Sequence, residues 1–345
     1  MESPKRIGIL TGGGDCPGLN AAIRAATKTA IQEGYQVTGI RNGWKGFFDK
    51  DYETLDYIRT SGIIDRGGTI LGTSRVSPLA VENGPELVLE EVRKLELTAL
   101  IVLGGEGTLT VSYEMFKKGL PVVGIPKTID NDIKGTDYTI GFQTAVEIAT
   151  EALDRLRSTA ESHHRVMLLE VMGRNAGWIA TYAGMANGAD AILIPELPLN
   201  LDWLCRMLIN RKEKGINFSV VVVAEGTVVE GKTIGGEYYE SGDIKRKLLG
   251  GIGKVLGDII MKRTGLETRV SSLGYIQRGG TPVAYDRSLA TCFGVKAISM
   301  VNQHKYGEMT AIKGDKITSS PLSEVAKGIK TVPMEVYKIA QRFFG

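Results

Sequence analysis

Short apolar runs alternate along this chain with stretches whose apolar residues recur every three or four positions. Residues 6–10 (RIGIL) read as a buried strand, 21–34 as a helix, 36–40 as a second strand and 86–95 as a second helix. The runs at 99–103 (ALIVL) and 122–125 (VVGI) repeat the strand signal. The second half continues with a helix at 144–158, strands at 165–171 and 191–195 around a helix at 177–187, and the β-branched run 218–224 (FSVVVVA). A helix at 252–264 leads to a strand at Thr268 and Arg269, and 334–344 reads as an amphipathic closing helix. Alternation of the two periods predicts an α/β fold with mainly parallel sheets.

At 345 residues the chain exceeds one ordinary core. The predicted architecture is two Rossmann-like lobes that meet near Gly141, with an active-site cleft between them. Residues 227–251 are polar, glycine-rich and charged, and read as a surface excursion. A hydrophobic content of 43% with 23% charged residues excludes general disorder. The net charge of +3, from 42 basic minus 39 acidic residues, is too small for a non-specific nucleic-acid binder. Cys16, Cys205 and Cys292 form no C-x-x-C pair, so neither a disulfide framework nor a zinc site is expected, and a reducing cytoplasm fits. No apolar run approaches the ~18 residues of a membrane span, and residues 1–6 carry no signal-like stretch.

The densest chemistry lies at 126–141 (PKTIDNDIKGTDYTIG), where Asp130, Asp132 and Asp137 share sixteen residues with Lys127 and Lys134. Upstream, the strand at 99–103 empties into Gly104, Gly105, Glu106, Gly107 and Thr108, and the first strand empties into Gly12, Gly13, Gly14 and Asp15. Glycine lets backbone approach a phosphate, and a helix N-terminus offers unpaired N–H groups to an anion. A glutamate beside such a loop suits magnesium, which takes one or two carboxylates plus phosphate oxygens. An aspartate at a strand end can take the proton of a hydroxyl that attacks phosphorus. Each loop alone has a plainer reading: a glycine turn, a carboxylate on the next helix, an Asp-Asn-Asp turn. Together, all following strands in one half, they point to phosphoryl transfer at the edge of an open sheet. Neither G-x-G-x-x-G nor the Walker pattern is present, which disfavours a dinucleotide dehydrogenase or P-loop enzyme.

These loops, with Gly67-Gly68-Thr69, Gly72-Thr73-Ser74-Arg75, Glu170-Val171-Met172-Gly173-Arg174 and Ile276-Gln277-Arg278-Gly279-Gly280, closely resemble the phosphofructokinase family over residues 6–297. The resemblance implies ATP-dependent transfer to the 1-hydroxyl of fructose 6-phosphate, with magnesium. By position Asp130 matches the catalytic base, Thr128 sits beside it on the sugar, and Arg174 matches the residue that stabilises transferring charge. Gly14, Arg75, Val76, Gly105, Glu106, Gly107 and Thr108 match the donor site, Glu106 at the metal position where the family usually has aspartate. Met172, Gly173 and Glu225 match contacts to the sugar. Arg165, Arg269 and Arg278 match the 6-phosphate site, with Tyr275 where many members have histidine. In the family two of these, here Arg165 and Arg269, come from a neighbouring subunit, so a homodimer or homotetramer is implied. The implied donor lobe is 1–140 plus 276–325, and the sugar-phosphate lobe 141–275 plus 326–345.

Two positions resemble the family's donor discriminators and disagree. Gly107 matches ATP enzymes, where an aspartate would crowd and repel the α-phosphate of a nucleotide. Lys127 matches pyrophosphate enzymes, as a compact charge for phosphate. Gly107 removes the block outright, and a lysine need not exclude a nucleotide, so ATP is the expected donor and pyrophosphate the alternative. Arg24, Lys28 and Arg157 fall where allosteric members bind effectors. His163-His164, Cys16 and Trp44 read as a polar lead-in, a packing residue and a cleft-edge or core residue. A non-catalytic sugar-phosphate sensor should have lost Asp130 or Arg174, and both are present.

Overall fold

The protein is represented by a computed structural model that describes residues 5–229, 232–233, 235–241 and 244–345. The first half winds β1 (Arg6–Gly12), α1 (Leu19–Gln32), β2 (Gln36–Ile40), α2 (Lys45–Asp49), β3 (Tyr52–Leu55), α3 (Gly84–Lys94), β4 (Leu97–Gly104), α4 (Glu106–Lys117) and β5 (Val122–Pro126). The chain then crosses on α5 (Phe142–His163) to β6 (Val166–Val171), α6 (Trp178–Asn187), β7 (Ala191–Leu193), α7 (Leu201–Glu213) and β8 (Ser219–Ala224). The excursion at 227–251 forms two antiparallel pairs in its described backbone, β9 (Val228–Val229) with β10 (Lys232–Thr233) and β11 (Gly235–Ser241) with β12 (Ile244–Leu249). Residues 230, 231, 234, 242 and 243 of that predicted excursion lie outside the described residues. Last come α8 (Ile252–Thr264), β13 (Thr268–Ser272), α9 (Ala284–Asn302), β14 (Glu308–Lys313), β15 (Lys316–Pro321) and α10 (Met334–Gln341).

Two sheets result. The larger runs β15-β14-β5-β4-β1-β2-β3, parallel except at its two edge strands, and the smaller runs β13-β6-β8-β7, parallel throughout. Every residue of β5, β6 and β8 is buried, as strands covered by helices on both faces require. The α/β class with mainly parallel sheets holds as predicted. The late hairpin β14–β15 and helix α9, which the apolar pattern leaves unread, return to the first sheet: β14 pairs with β5, and α9 packs on α1. Their signal is weak because α9 buries Asp286 and Gly294 and exposes Tyr285 and Val295, which blurs its apolar period, and β15 is polar at an edge.

The register sets the site. Gly12 of β1 lies opposite Gly104 of β4, and Gly104 opposite Pro126 of β5. Three adjacent strands therefore end at one level, and their three loops leave side by side at the carboxyl edge. Chain order reverses between β1 and β4 there, the place where open sheets bind ligands. The start of α5 is pinned by Asp286 of α9, which accepts Gly141 N at 2.9 Å, Thr144 N at 2.8 Å and Thr144 Oγ1 at 2.5 Å.

Candidate active site

One cleft is lined by Gly14, Arg75, Val76, Gly105, Glu106, Gly107, Thr108, Lys127, Thr128, Asp130, Arg174 and Arg278 together. Its empty volume is about 970 Å³ counting the open mouth. Most of these residues sit on the three neighbouring loops, and the others are tied to them. Gly13 N donates to Ser74 O at 3.1 Å and Thr73 Oγ1 to Gly13 O at 2.6 Å, which sets Arg75 and Val76 over the first glycine loop. A methyl at Gly14 would lie 2.5 Å from Arg278 Nη1 and 2.9 Å from its Cζ, so a larger residue there would push the guanidinium aside.

Lys127 is 2% exposed and donates from Nζ to Gly14 O at 2.5 Å, so the third loop reaches under the first. Burial pulls its ammonium down to about 8, and the nearby Arg278 charge also lowers it. Asp130 is 3% exposed. Its N–H is held by Thr128 Oγ1 at 3.1 Å, its Oδ2 lies 3.6 Å from Arg174 Nε, and its buried Oδ1 has no partner. Asp132 is buried beside it with Oδ1 also unpartnered; burial first, and then the Asp130 charge, push its carboxyl up to about 7.

Arg174 arrives from the other sheet, on the turn between β6 and α6. Its backbone is left-handed, at φ 52°, and its N–H donates to Glu225 Oε1 at 3.0 Å. Glu225, just after β8, is buried, and burial pushes its carboxyl up to about 7. Met172 N donates to Gln277 Oε1 at 2.8 Å, which joins the turn carrying Gly173 and Arg174 to the segment carrying Arg278.

Glu106 opens α4, with Thr110 Oγ1 3.5 Å from its Oε1, and its carboxylate faces the same cleft as Asp130 and Asp132. A magnesium ion fits these residues. Glu106 would supply hard oxygens, the Asp132 Oδ1 is a buried acceptor without a donor among the described residues, and phosphate oxygens and water would complete the shell. Among the described residues no three His, Cys, Asp or Glu gather closely enough to hold a metal alone.

Six predicted site residues are absent from the lining of this cleft: Met172, Gly173 and Glu225 adjoin it through Arg174, and Arg165, Arg269 and Tyr275 lie elsewhere. Arg165 and Arg269 turn to Glu267 instead, at 2.8 Å and 2.5 Å from its Oε1. Tyr275 is 65% exposed, with the Arg278 guanidinium 5.4 Å from its ring centre. Arg278, grouped from sequence with that phosphate site, lines the cleft over Gly14. Arg157 is engaged at the end of α6, donating to Gly188 O at 2.7 Å and Asn187 O at 2.9 Å, and Lys28 lies 5.5 Å over the Tyr57 ring. Cys16 is a packing residue, its thiol pushed up to about 12 by burial and donating to Ile140 O at 3.3 Å. Trp44 is both core and cleft wall. Sequence reasoning missed Asp15, Ser74 and Ser77 as lining residues; only adjacency to the glycine motifs marked them.

A family model described as phosphofructokinase matches residues 6–301. A pyrophosphate–fructose 6-phosphate 1-phosphotransferase of Amycolatopsis mediterranei is 49% identical over 99% of this chain and 100% of its own length. ATP-dependent 6-phosphofructokinase 3 of Streptomyces coelicolor is 48% identical over 97% of this chain and 99% of its own. Among solved structures, Pichia pastoris phosphofructokinase in the T-state matches with a TM-score of 0.84 and 32% identity, covering 99% of this chain and 37% of the Pichia chain. A pyrophosphate-dependent phosphofructokinase from Marinobacter aquaeolei matches with a TM-score of 0.82 and 25% identity, covering 96% of this chain and 86% of that one.

Proposed function

This chain belongs to the phosphofructokinase family, and from that premise we propose that it transfers the γ-phosphoryl group of ATP to the 1-hydroxyl of fructose 6-phosphate. The products are ADP and fructose 1,6-bisphosphate. The observation that carries the reading is the Asp130–Arg174 pair, a buried carboxylate with one unpartnered oxygen beside a guanidinium from the opposite sheet.

Asp130 accepts the proton of the sugar hydroxyl as its oxygen bonds to the γ-phosphorus and the bond to the β,γ-bridging oxygen breaks. Thr128 fixes the Asp130 backbone and stands next to the sugar. Arg174 meets the negative charge that spreads over the transferring group, where a preorganised guanidinium acts most strongly out of water. Gly14, Arg75, Val76, Gly105, Gly107 and Thr108 cradle the donor, with Lys127 facing its phosphates. Glu106 would hold magnesium, which when bound neutralises phosphate charge. Met172, Gly173 and Glu225 take the sugar. Arg165 and Arg269 serve the 6-phosphate of a neighbouring subunit's substrate, which their turn to Glu267 rather than to this chain's own cleft supports and which makes the working unit a homodimer or homotetramer, with Arg278 and Tyr275 matched to the same 6-phosphate site. The lobe on the seven-stranded sheet binds donor and the lobe on the four-stranded sheet binds sugar phosphate.

ATP is preferred because Gly107, the second residue of α4, leaves the donor loop without a side chain where an aspartate would repel a nucleotide's α-phosphate. Pyrophosphate is the second reading, favoured by the buried charge of Lys127 beneath Gly14. Relatives named for either donor stand at 48% and 49% identity. Side-by-side initial rates with fructose 6-phosphate, magnesium and either ATP or pyrophosphate test both; turnover with pyrophosphate alone would reverse the donor, and turnover with neither would remove the function. Among the described residues no helix is long and apolar enough to cross a membrane, which accords with a cytoplasmic glycolytic role.

A further inference from the structure

We infer that Lys330, on the strap between α10 and the end of the β14–β15 hairpin, is a positioning residue for phosphoryl transfer, because it locks the turn behind Asp130 to the helix start behind Arg174. The inference rests on the reading of Asp130 as the base.

The strap, residues 328–333, crosses behind the cleft and is absent from its lining. Lys330 Nζ donates to Asn131 Oδ1 at 3.1 Å, Thr136 O at 2.9 Å and Asp137 O at 2.8 Å. The backbone is used as fully as the side chain: Lys330 N donates to Asp132 O at 2.7 Å, and Lys330 O accepts Trp178 Nε1 at 2.9 Å. The ammonium also stands 5.0 Å from the Trp178 ring centre. Two residues on, Val332 N donates to Glu196 Oε1 at 3.0 Å, and the same carboxylate accepts Gly177 N at 2.9 Å. One short segment therefore touches Asn131 and Asp132, adjoining the base, and reaches the start of the helix after Arg174 directly at Trp178 and through Glu196 at Gly177.

The turn needs such a hold. Asn131 is fully buried with φ 50°, a conformation that costs a non-glycine residue on the order of 1 kcal/mol or more and persists only where its surroundings impose it. Its Oδ1 accepts both Thr139 N, at 3.1 Å, and the Lys330 ammonium. Hydrogen bonds from a full charge are the strong kind, and three of them converge here. Without Lys330 all three oxygens would lose their charged donor. Without the ammonium the turn relaxes, and Asp130 shifts against Arg174, from which only 3.6 Å separates it.

The test is steady-state kinetics of Lys330→Met, Lys330→Arg and the strap control Thr331→Ala, an exposed neighbour, at saturating fructose 6-phosphate, ATP and magnesium. Circular dichroism fixes a temperature below each unfolding transition. Lys330→Met is expected to lower kcat about tenfold to a hundredfold while both KM values move by no more than about threefold, the signature of misplaced reacting groups. Lys330→Arg recovers most of the rate, and Thr331→Ala matches the wild type. In an Asp130→Ala background Lys330→Met costs no more than about twofold, because the two act on one step. A kcat within about twofold of wild type for Lys330→Met, or an equal loss with and without Asp130, overturns the inference. Should Lys330→Met not fold, Glu196→Gln loosens the same strap at its other anchor and is held to the same split between kcat and KM. An active wild type beside an unaffected Lys330→Met removes this inference alone, whereas a wild type inert with both donors removes the reading beneath it as well.

Discussion

Asp130 and Arg174 face each other at 3.6 Å, Oδ2 to Nε, although they leave different sheets. Asp130 follows β5 of the seven-stranded sheet and Arg174 follows β6 of the four-stranded one. On the proposed reading, this contact is the point where the two sheets present opposite charges to a single reacting centre. Its distance is longer than a tight ion pair, and the second Asp130 oxygen is unpartnered, so the carboxylate keeps an acceptor for a substrate proton.

Replacing Asp130 with alanine is expected to lower kcat by about 10²–10⁴-fold with little change in KM for the sugar phosphate, the size of a lost general base. Arg174→Ala is expected to lower it by about 10²–10³-fold. Steady-state kinetics under saturating donor read both. An Asp130→Ala protein with undiminished turnover would leave the assignment of the base without support.

Gly107→Asp tests the donor. The added carboxylate stands where the nucleotide's α-phosphate must pass, and pyrophosphate has no third phosphate to meet it. The ratio of kcat/KM for ATP to that for pyrophosphate is expected to fall at least about tenfold, 1.4 kcal/mol of discrimination. Equal losses with both donors would show that the position does not read the nucleotide.

Lys127 gives a pH signature. Burial favours its neutral amine, so the free enzyme holds the charge below about pH 8 and loses it above. Since kcat/KM reports the free enzyme, the value for the donor is expected to decline above about pH 8. In Lys127→Met the constant drops and that alkaline limb disappears. A limb that persists unchanged in the variant assigns the titration elsewhere, Lys330 being the other lysine that burial pulls down to about 8.

Asp286 carries a stability prediction. Its carboxylate accepts two backbone N–H groups and one hydroxyl at the start of α5, with no basic residue paired to it among the described residues. Asp286→Ala leaves those donors buried and unpaired, at about 1–3 kcal/mol. Urea unfolding measures the loss; an unchanged midpoint would mean that water replaces the carboxylate.

How much of this was legible beforehand depends on the kind of signal. Buried parallel strands announce themselves as continuous apolar runs, and 36–40 and 252–264 were read to the residue as β2 and α8. The glycine and aspartate loops were legible because they follow those runs directly. What escaped shares a different character. α9 buries Asp286 and Gly294 and exposes Tyr285 and Val295, which blurs its apolar period, and β15 is a polar edge strand. Asp286 and Lys330 act on turns 142 and 199 residues away in sequence, so no local spacing reveals them. Arg165 and Arg269 were legible as motif members, but their turn toward Glu267 rather than the cleft depends on tertiary geometry.

The alignment of Gly12, Gly104 and Pro126 across three strands works as a common baseline from which each loop measures its reach. A strand advances about 3.3 Å per residue, roughly the length of one hydrogen bond, and each added residue also flips the following side chain to the opposite face. Lengthening β1, β4 or β5 by one position would therefore carry its loop out of step with the other two while leaving the core apolar and the fold intact. On the proposed reading, the lengths of the three middle strands are held to the size of a phosphate, while the sheet's edge strands carry no such constraint.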